Sequence, residues 1–179
     1  MDSRSKHKRV RAREVALQAL YQFDLLRSGS EPLTSVDDLE PFVAQATQED
    51  VVSSYVRQLL SGILDKLTTI DGHIDRTVTH WKFERITPID RSILRLALFE
   101  ILEVSDVPPK VAINEAIELA KRYSTAQSGA FVNGVLDRVY RDLQADLQTD
   151  ADLQAEWTDE ETTQKTTADS RPNGDASAC

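Results

Sequence analysis

The sequence predicts an all-α fold, a compact bundle of six to seven helices, on three observations. Apolar residues recur at spacings of three and four along almost the whole chain as far as Leu143. No strand-like alternation or hairpin signal competes with that period. The periodic segments are separated by helix punctuation, with Ser28-Gly29, Thr87-Pro88 and Pro108-Pro109 at the breaks.

In the first helix, Ala12, Ala16, Ala19, Leu20, Phe23 and Leu26 form one apolar stripe, which Ser28-Gly29 ends. A loop with Pro32 follows, then a short second helix over Ser35 to Ala46, weakened by Pro41. In "TQEDVVSSYVRQLLSGILDKL", Thr47 and Asp50 form a capping pair, and Glu49 and Asp50 favour the positive end of the helix dipole. The buried face of this third helix is Val52, Tyr55, Val56, Leu59, Leu60, Ile63 and Leu67. A fourth helix runs from about Ile70 to Trp81, with Ile70, Ile74, Val78 and Trp81 at helical spacing.

The clearest local signal is "ITPIDRSILRLALFEILEV". Thr87 is a good N-cap, Pro88 fits the first helical position and Asp90 sits in the first turn. Ile89, Ile93, Leu94, Leu96, Ala97, Leu98, Ile101 and Leu102 make this fifth helix apolar on most sides, so it belongs at the centre of the bundle. After Pro108-Pro109, the residues Val111, Ile113, Ala116, Ile117 and Ala120 predict the stripe of a sixth helix. The last helix carries Phe131, Val132, Val135, Leu136, Val139 and Leu143. Gly134 costs it about 1 kcal/mol relative to alanine, which points to a close backbone approach there.

The net charge of −9 conceals an uneven distribution. From Asp142 to Cys179 ten acids face only Lys165 and Arg171, a local charge of −8. Large apolar groups are scarce after Leu153, and roughly the last 25 residues read as a disordered acidic tail. Such a tail serves solubility, or competes with nucleic acid for cations elsewhere in the chain. The opposite end is basic: Arg4, Lys6, Lys8, Arg9, Arg11 and Arg13 are six cations within ten residues.

Several function classes are disfavoured. Cys179 is the single cysteine, so an internal disulfide and a cysteine-based metal site are excluded. His73 and His80 are seven residues apart, not the four of a zinc-binding helix. There is no nucleophile elbow, no phosphate-binding loop and no dinucleotide fingerprint, so neither catalysis nor a cofactor is expected. Asp37-Asp38 and Glu49-Asp50 read as helix-start charges and not as a catalytic dyad. No stretch reaches the roughly 18 apolar residues of a membrane helix, and Gln18, Gln22 and Asp24 break the apolar core that a signal peptide needs. A cytoplasmic protein is predicted.

The basic head is the leading functional feature. Arg9 and Arg13 lie at the start of an amphipathic helix, followed by Gln18 and the aromatic Tyr21. Guanidinium groups on phosphates and an aromatic ring on bases is how single-stranded nucleic acid is held.

"RAREVALQALYQFDL", "RSILRLALFEI", "SDVPPKVAINEAIELAKRYS" and "FVNGVLDRV" occur here in the order in which similar segments occur in the NusB family of bacterial antitermination factors. "VPPKVAINEAIELAK" followed ten residues later by "FVNGVLD" is the most specific part, and the resemblance covers Arg9 to about Leu143. It implies two small helical subdomains, no catalysis, and binding of boxA RNA in nascent transcripts, especially ribosomal RNA leaders. It also implies a partner, NusE, and membership of an RNA polymerase antitermination complex. Two other arrangements are similar: the NusB-like domain fused to ribosomal RNA methyltransferases, which needs a cofactor domain downstream, and a homodimeric interaction module whose RNA face is occluded.

Carried over by resemblance, the RNA-binding residues are Lys8, Arg9, Arg11, Arg13, Gln18 and Phe131, and the partner-binding residues are Tyr21 and Asp90. Val10 stands where the family often has a further arginine; Lys6 and Lys8 supply charge there without bidentate geometry. Asp90 reads equally as a helix-start acid, and Phe131 equally as core. "STAQSG" has Ala126 and Gln127 where relatives carry acids, which weakens local repulsion of RNA. Among Asn114, Glu115 and Asn133, at least one is expected to be buried and bonded to a neighbouring helix end. The domain reading is a flexible basic arm at 1–8, a helical RNA-binding domain at 9–145 and an acidic tail at 146–179.

Overall fold

The computed structural model describes residues 3–26, 35–78, 85–146 and 148. Helix α1 is Ser3–Leu26, α2 is Glu40–Ala46 after a 3-10 turn at Asp37–Leu39, and α3 is Asp50–Asp65. Then come α4, Leu67–Thr77, α5, Pro88–Glu103, and α6, Pro109–Tyr123. Residues 128–146 are also helical and their first part, 128–140, is called α7 here. The described residues contain no strand. One compact unit is Met1–Tyr140 and a second is Arg141–Cys179, of which 141–146 and 148 are described as helical.

Helix α5 is the hub of the first unit. Every residue from Ser92 to Glu100 is buried, and α1, α3, α4 and α6 all pack against it. Thr87 caps it as expected: its hydroxyl accepts the Asp90 backbone N–H at 3.2 Å, with Pro88 in the first turn. On α1 the small residues Ala12, Ala16 and Ala19 are fully buried, so α3 and α5 approach its backbone closely, with Val15, Leu20 and Phe23 filling the gaps.

The structure departs from the sequence reading at several points. Helix α1 starts at Ser3, so residues 3–8 continue the helix and are not a separate arm. No Gly or Pro interrupts "SRSKHKRVRA", and Arg, Lys and Ala are good helix formers. Pro41 does not weaken α2; it occupies the first turn, where its missing N–H costs nothing. Thr47 does not cap α3: Glu49 holds the N-cap position without a side-chain bond, while the Thr47 hydroxyl accepts the Glu49 backbone N–H at 3.2 Å. On α6 the core takes Ala112 and Leu119, whereas Val111 is 42% exposed. Asn114 is exposed, and Asn133 donates to Asp137 on its own helix, so neither is a buried helix-end ligand. Trp81, His80, the Ser28-Gly29 stop, Pro32 and the acidic tail from 149 lie outside the described residues.

The glycine that permits close approach is Gly62 and not Gly134. A Cβ at Gly62 would lie 2.1 Å from the Phe99 ring, because α3 and α5 pack directly there. A Cβ at Gly134 would meet nothing within 4 Å. Gly62→Ala is therefore expected to lose about 1–3 kcal/mol through overpacking, and Gly134→Ala to gain about 0.5–1 kcal/mol. Denaturant unfolding of the two variants beside the parent chain measures both signs.

Candidate nucleic-acid interface

The six cations of α1 divide by the geometry of the helix. Successive residues turn by about 100°, so Arg4, Lys8 and Arg11, spaced four and three apart, share one face, and Arg13 lies roughly opposite Arg11. Arg11 is half exposed, with weak contacts to Glu14 at 3.4 Å and to the Ala46 carbonyl at 3.3 Å. Lys8 is partly exposed, with Nζ 3.4 Å from the exposed Glu49. Arg4 and Lys6 are exposed.

Arg13 is different. Its side chain is 3% exposed, and its Nε donates to both carboxylate oxygens of the fully buried Glu100 at 2.9 Å. Its Nη1 is 3.6 Å from Glu115 of α6. Glu100 also accepts the Tyr55 hydroxyl at 2.5 Å, which ties α1, α3 and α5 to one carboxylate. Burial and the adjacent Glu100 carboxylate push the Tyr55 phenol above its ordinary value, so the hydroxyl keeps its proton and remains a donor. The assignment of Arg13 to phosphate is thus corrected: in this structure its guanidinium is a cross-brace and is not presented to solvent.

Arg9 is intermediate between these two situations. Its guanidinium lies over the Tyr55 ring, 5.0 Å from the centroid, and is bonded to the exposed Asp106. Its Nη1 is buried without an acceptor. Beyond the cations, Gln18 is exposed on α1, and Tyr21, Leu25 and Leu26 are 38, 52 and 42% exposed, which leaves an apolar surface at the far end of the helix.

Asp90 and Phe131 come together at a second place. Both line a cavity of about 250 Å³ with Arg85, Thr87, Gln127 and Ser128. Asp90 is 6% exposed; its Oδ2 accepts the Ser128 hydroxyl at 3.1 Å and its Oδ1 has no partner. Phe131 is partly exposed and does not belong to the core. The helix-start role of Asp90 is realised, since its own N–H is the one that Thr87 caps.

The sequence reading missed the buried charge network that sets these positions. Arg95 on α5, 1% exposed, donates from Nη1 to Asp24 at 2.9 Å and from Nε and Nη2 to Asp71 at 2.7 Å. Arg91 also bonds Asp24, and Arg122 bonds Glu14. A readable signal existed: Arg95 and Glu100 are charged residues inside an otherwise apolar helix, and such charges are buried only when paired.

The NusB family model matches residues 10–141. The chain belongs to the NusB family. Transcription antitermination protein NusB of Anaeromyxobacter sp. (strain Fw109-5) is 48% identical over 74% of this chain and 89% of its own length. The protein of the same name from Desulfosudis oleivorans is 39% identical over 75% of this chain and 86% of its own. Among solved structures, T. maritima NusB superposes with a TM-score of 0.65 at 37% identity, covering 74% of this chain and 90% of that one. A NusB crystallised with NusE and double-stranded RNA superposes with a TM-score of 0.65 at 26% identity, covering 76% and 98%. The NusB match begins at Val10, so Arg4 to Arg9 precede it, and the acidic stretch after Arg141 follows it. Among the described residues no helix is long and apolar enough to cross a membrane.

Two outcomes are expected from the charge network. Arg13→Met or Glu100→Leu alone leaves a buried charge unpaired and should cost about 3–5 kcal/mol, whereas the double variant with both substitutions should lose less than the two single losses added together. Denaturant unfolding of the three variants measures the coupling. Burial raises the Asp24 carboxyl, but hydrogen bonds from Arg91 and Arg95 outweigh it and hold Asp24 below the ordinary carboxylate value. A carboxyl lowered in the folded state stabilises above its unfolded value of about 3.9, and that contribution disappears as pH falls through the folded value. Stability measured from pH 6 downward should therefore fall less steeply for Asp24→Asn than for the parent below about pH 4. Identical acid limbs would contradict this assignment.

Proposed function

We infer that this chain is a transcription antitermination factor that binds boxA-type single-stranded RNA of nascent transcripts, ribosomal leaders among them. It acts with NusE in an RNA polymerase antitermination complex in the cytoplasm, without catalysis, cofactor or metal. The observation that carries this reading is the division of labour on α1. Arg13 braces the helix from inside, and Arg4, Lys8 and Arg11 are thereby turned to one outward face, while the exposed Lys6 lies on the other side of the helix with Arg9 and Arg13. Gln18 continues that surface, and Tyr21 with Leu25 and Leu26 offers apolar area suited to a protein partner. Phe131 and Asp90, sharing one cavity, form a second contact region, with Phe131 for a base and Asp90 for a donor of the partner. The family name of the relatives and the NusB–NusE–RNA crystal structure support the same reading.

Three outward cations on the phosphates of a single strand give a slope of log K against log salt of about −2.1. Because Ala12 and Arg13 belong to the core, substitution tests this better than removal of the first residues. Arg11→Gln should reduce the slope by about 0.7 at unchanged fold. The affinity for boxA-like RNA should exceed that for scrambled RNA, and NusE should widen the difference. Equal binding of both RNAs with and without NusE overturns the reading.

A further inference from the structure

Between α1 and α3 runs a groove of about 290 Å³ that no function considered so far uses. Lys8 and Arg9 line one side; Val51, Ser54, Tyr55 and Gln58 line the other. The α3 residues recur at spacings of three, one and three, so they form one face of that helix directed at the basic end of α1. We propose that this groove is a nucleotide subsite, in which a single RNA strand leaving the outward face of α1 places one base against α3, with Gln58 reading the base edge. The proposal rests on the RNA-binding reading above and extends it to a helix outside the arginine-rich segment.

Four observations converge on that ligand. Lys8 belongs both to the outward cationic face and to the groove wall, so the proposed strand path runs into the groove without a break. Val51 is 59% exposed, an apolar side chain at the rim where a base face can rest. Gln58 is exposed, and its side-chain amide makes no hydrogen bond among the described residues, so both its donor and acceptor are available to a base edge. The Arg9 guanidinium over the Tyr55 ring puts a second cation on the groove wall, next to Lys8, for the phosphate of the same nucleotide. The volume is at the lower limit of small-molecule sites, which fits one nucleotide unit and not an extended ligand. An acidic peptide would satisfy the cations but leaves Val51 and Gln58 without a role.

The experiment measures RNA affinity of the full chain against a boxA-like oligonucleotide at fixed salt, for Gln58→Ala, Gln58→Glu, Val51→Ala and, as a reference, Arg11→Gln. All three positions are exposed, and thermal unfolding confirms that each of the four variants is folded. Gln58→Ala should weaken binding about fivefold without changing the salt slope, since no cation is lost. Gln58→Glu, which places a carboxylate beside the strand, should weaken it at least tenfold. RNA carrying 4-thiouridine should crosslink to α3 residues 51–58 in the parent chain and lose that crosslink in Gln58→Glu. If Arg11→Gln weakens binding while the three α3 variants bind like the parent and no α3 crosslink forms, the groove is not a nucleotide subsite and the RNA-binding reading stands. If Arg11→Gln is also without effect, both fall together.

Discussion

The buried pair of Arg13 and Glu100 is the constraint on which the rest of the molecule depends. A charge with 3% exposure beside one with none cannot be tolerated alone: Arg13 is neutralised by Glu100 with Glu115 nearby, and Glu100 also accepts the neutral Tyr55 hydroxyl. Such a pair is poor evidence of net stability, because desolvation offsets most of the attraction. Its value lies in register. The smooth stretches at Ala12, Ala16 and Ala19 do little by themselves to locate α1 against its neighbours. Two bonds at 2.9 Å from one guanidinium to one carboxylate fix both rotation and height.

Fixing the rotation of α1 decides what its other cations do. With Arg13 inward, Arg11 lies about 200° away around the axis and Arg4 and Lys8 fall on the same outward side. The positive face is therefore a consequence of a core contact and not a separate device. Arg9, some 40° from the inward direction, lies at the edge, stacked on Tyr55 and joined to Asp106. Tyr55 connects the two regions: its hydroxyl completes the Glu100 hub and its ring carries Arg9.

Most of the fold was legible in the sequence, because helical periodicity reports one-sided burial directly. The central place of α5 followed from apolar residues around its whole circumference, and its cap from Thr87-Pro88. What was not legible depended on three-dimensional placement. A basic residue in a cluster has the same one-letter code whether it meets solvent or a carboxylate 87 residues away, as Arg13 does. Gly62 and Gly134 are both helical glycines, yet only Gly62 faces an aromatic ring. The exposure of Val111 and the burial of Leu119 shift the face of α6 by one position, within the tolerance of a stripe drawn from periodicity alone.

The second network shows that the same logic operates at the other end of α1. Asp24 is held by Arg91 and Arg95 of α5, and Arg95 reaches on to Asp71 of α4, so α1 is clamped to α5 by ions at its middle and near its C-terminal end, with apolar packing between. Arg13 and Asp24 are eleven residues apart, about three turns, which places both on the side of α1 that faces α5. A helix secured at two such points moves as one body with α5. Anything that binds its outward cations, or the apolar surface near Tyr21, therefore meets a preorganised surface and loses less entropy on association than it would with a flexible basic tail. The rigid placement of α1, more than the number of its charges, is what lets a short cluster serve as a specific face.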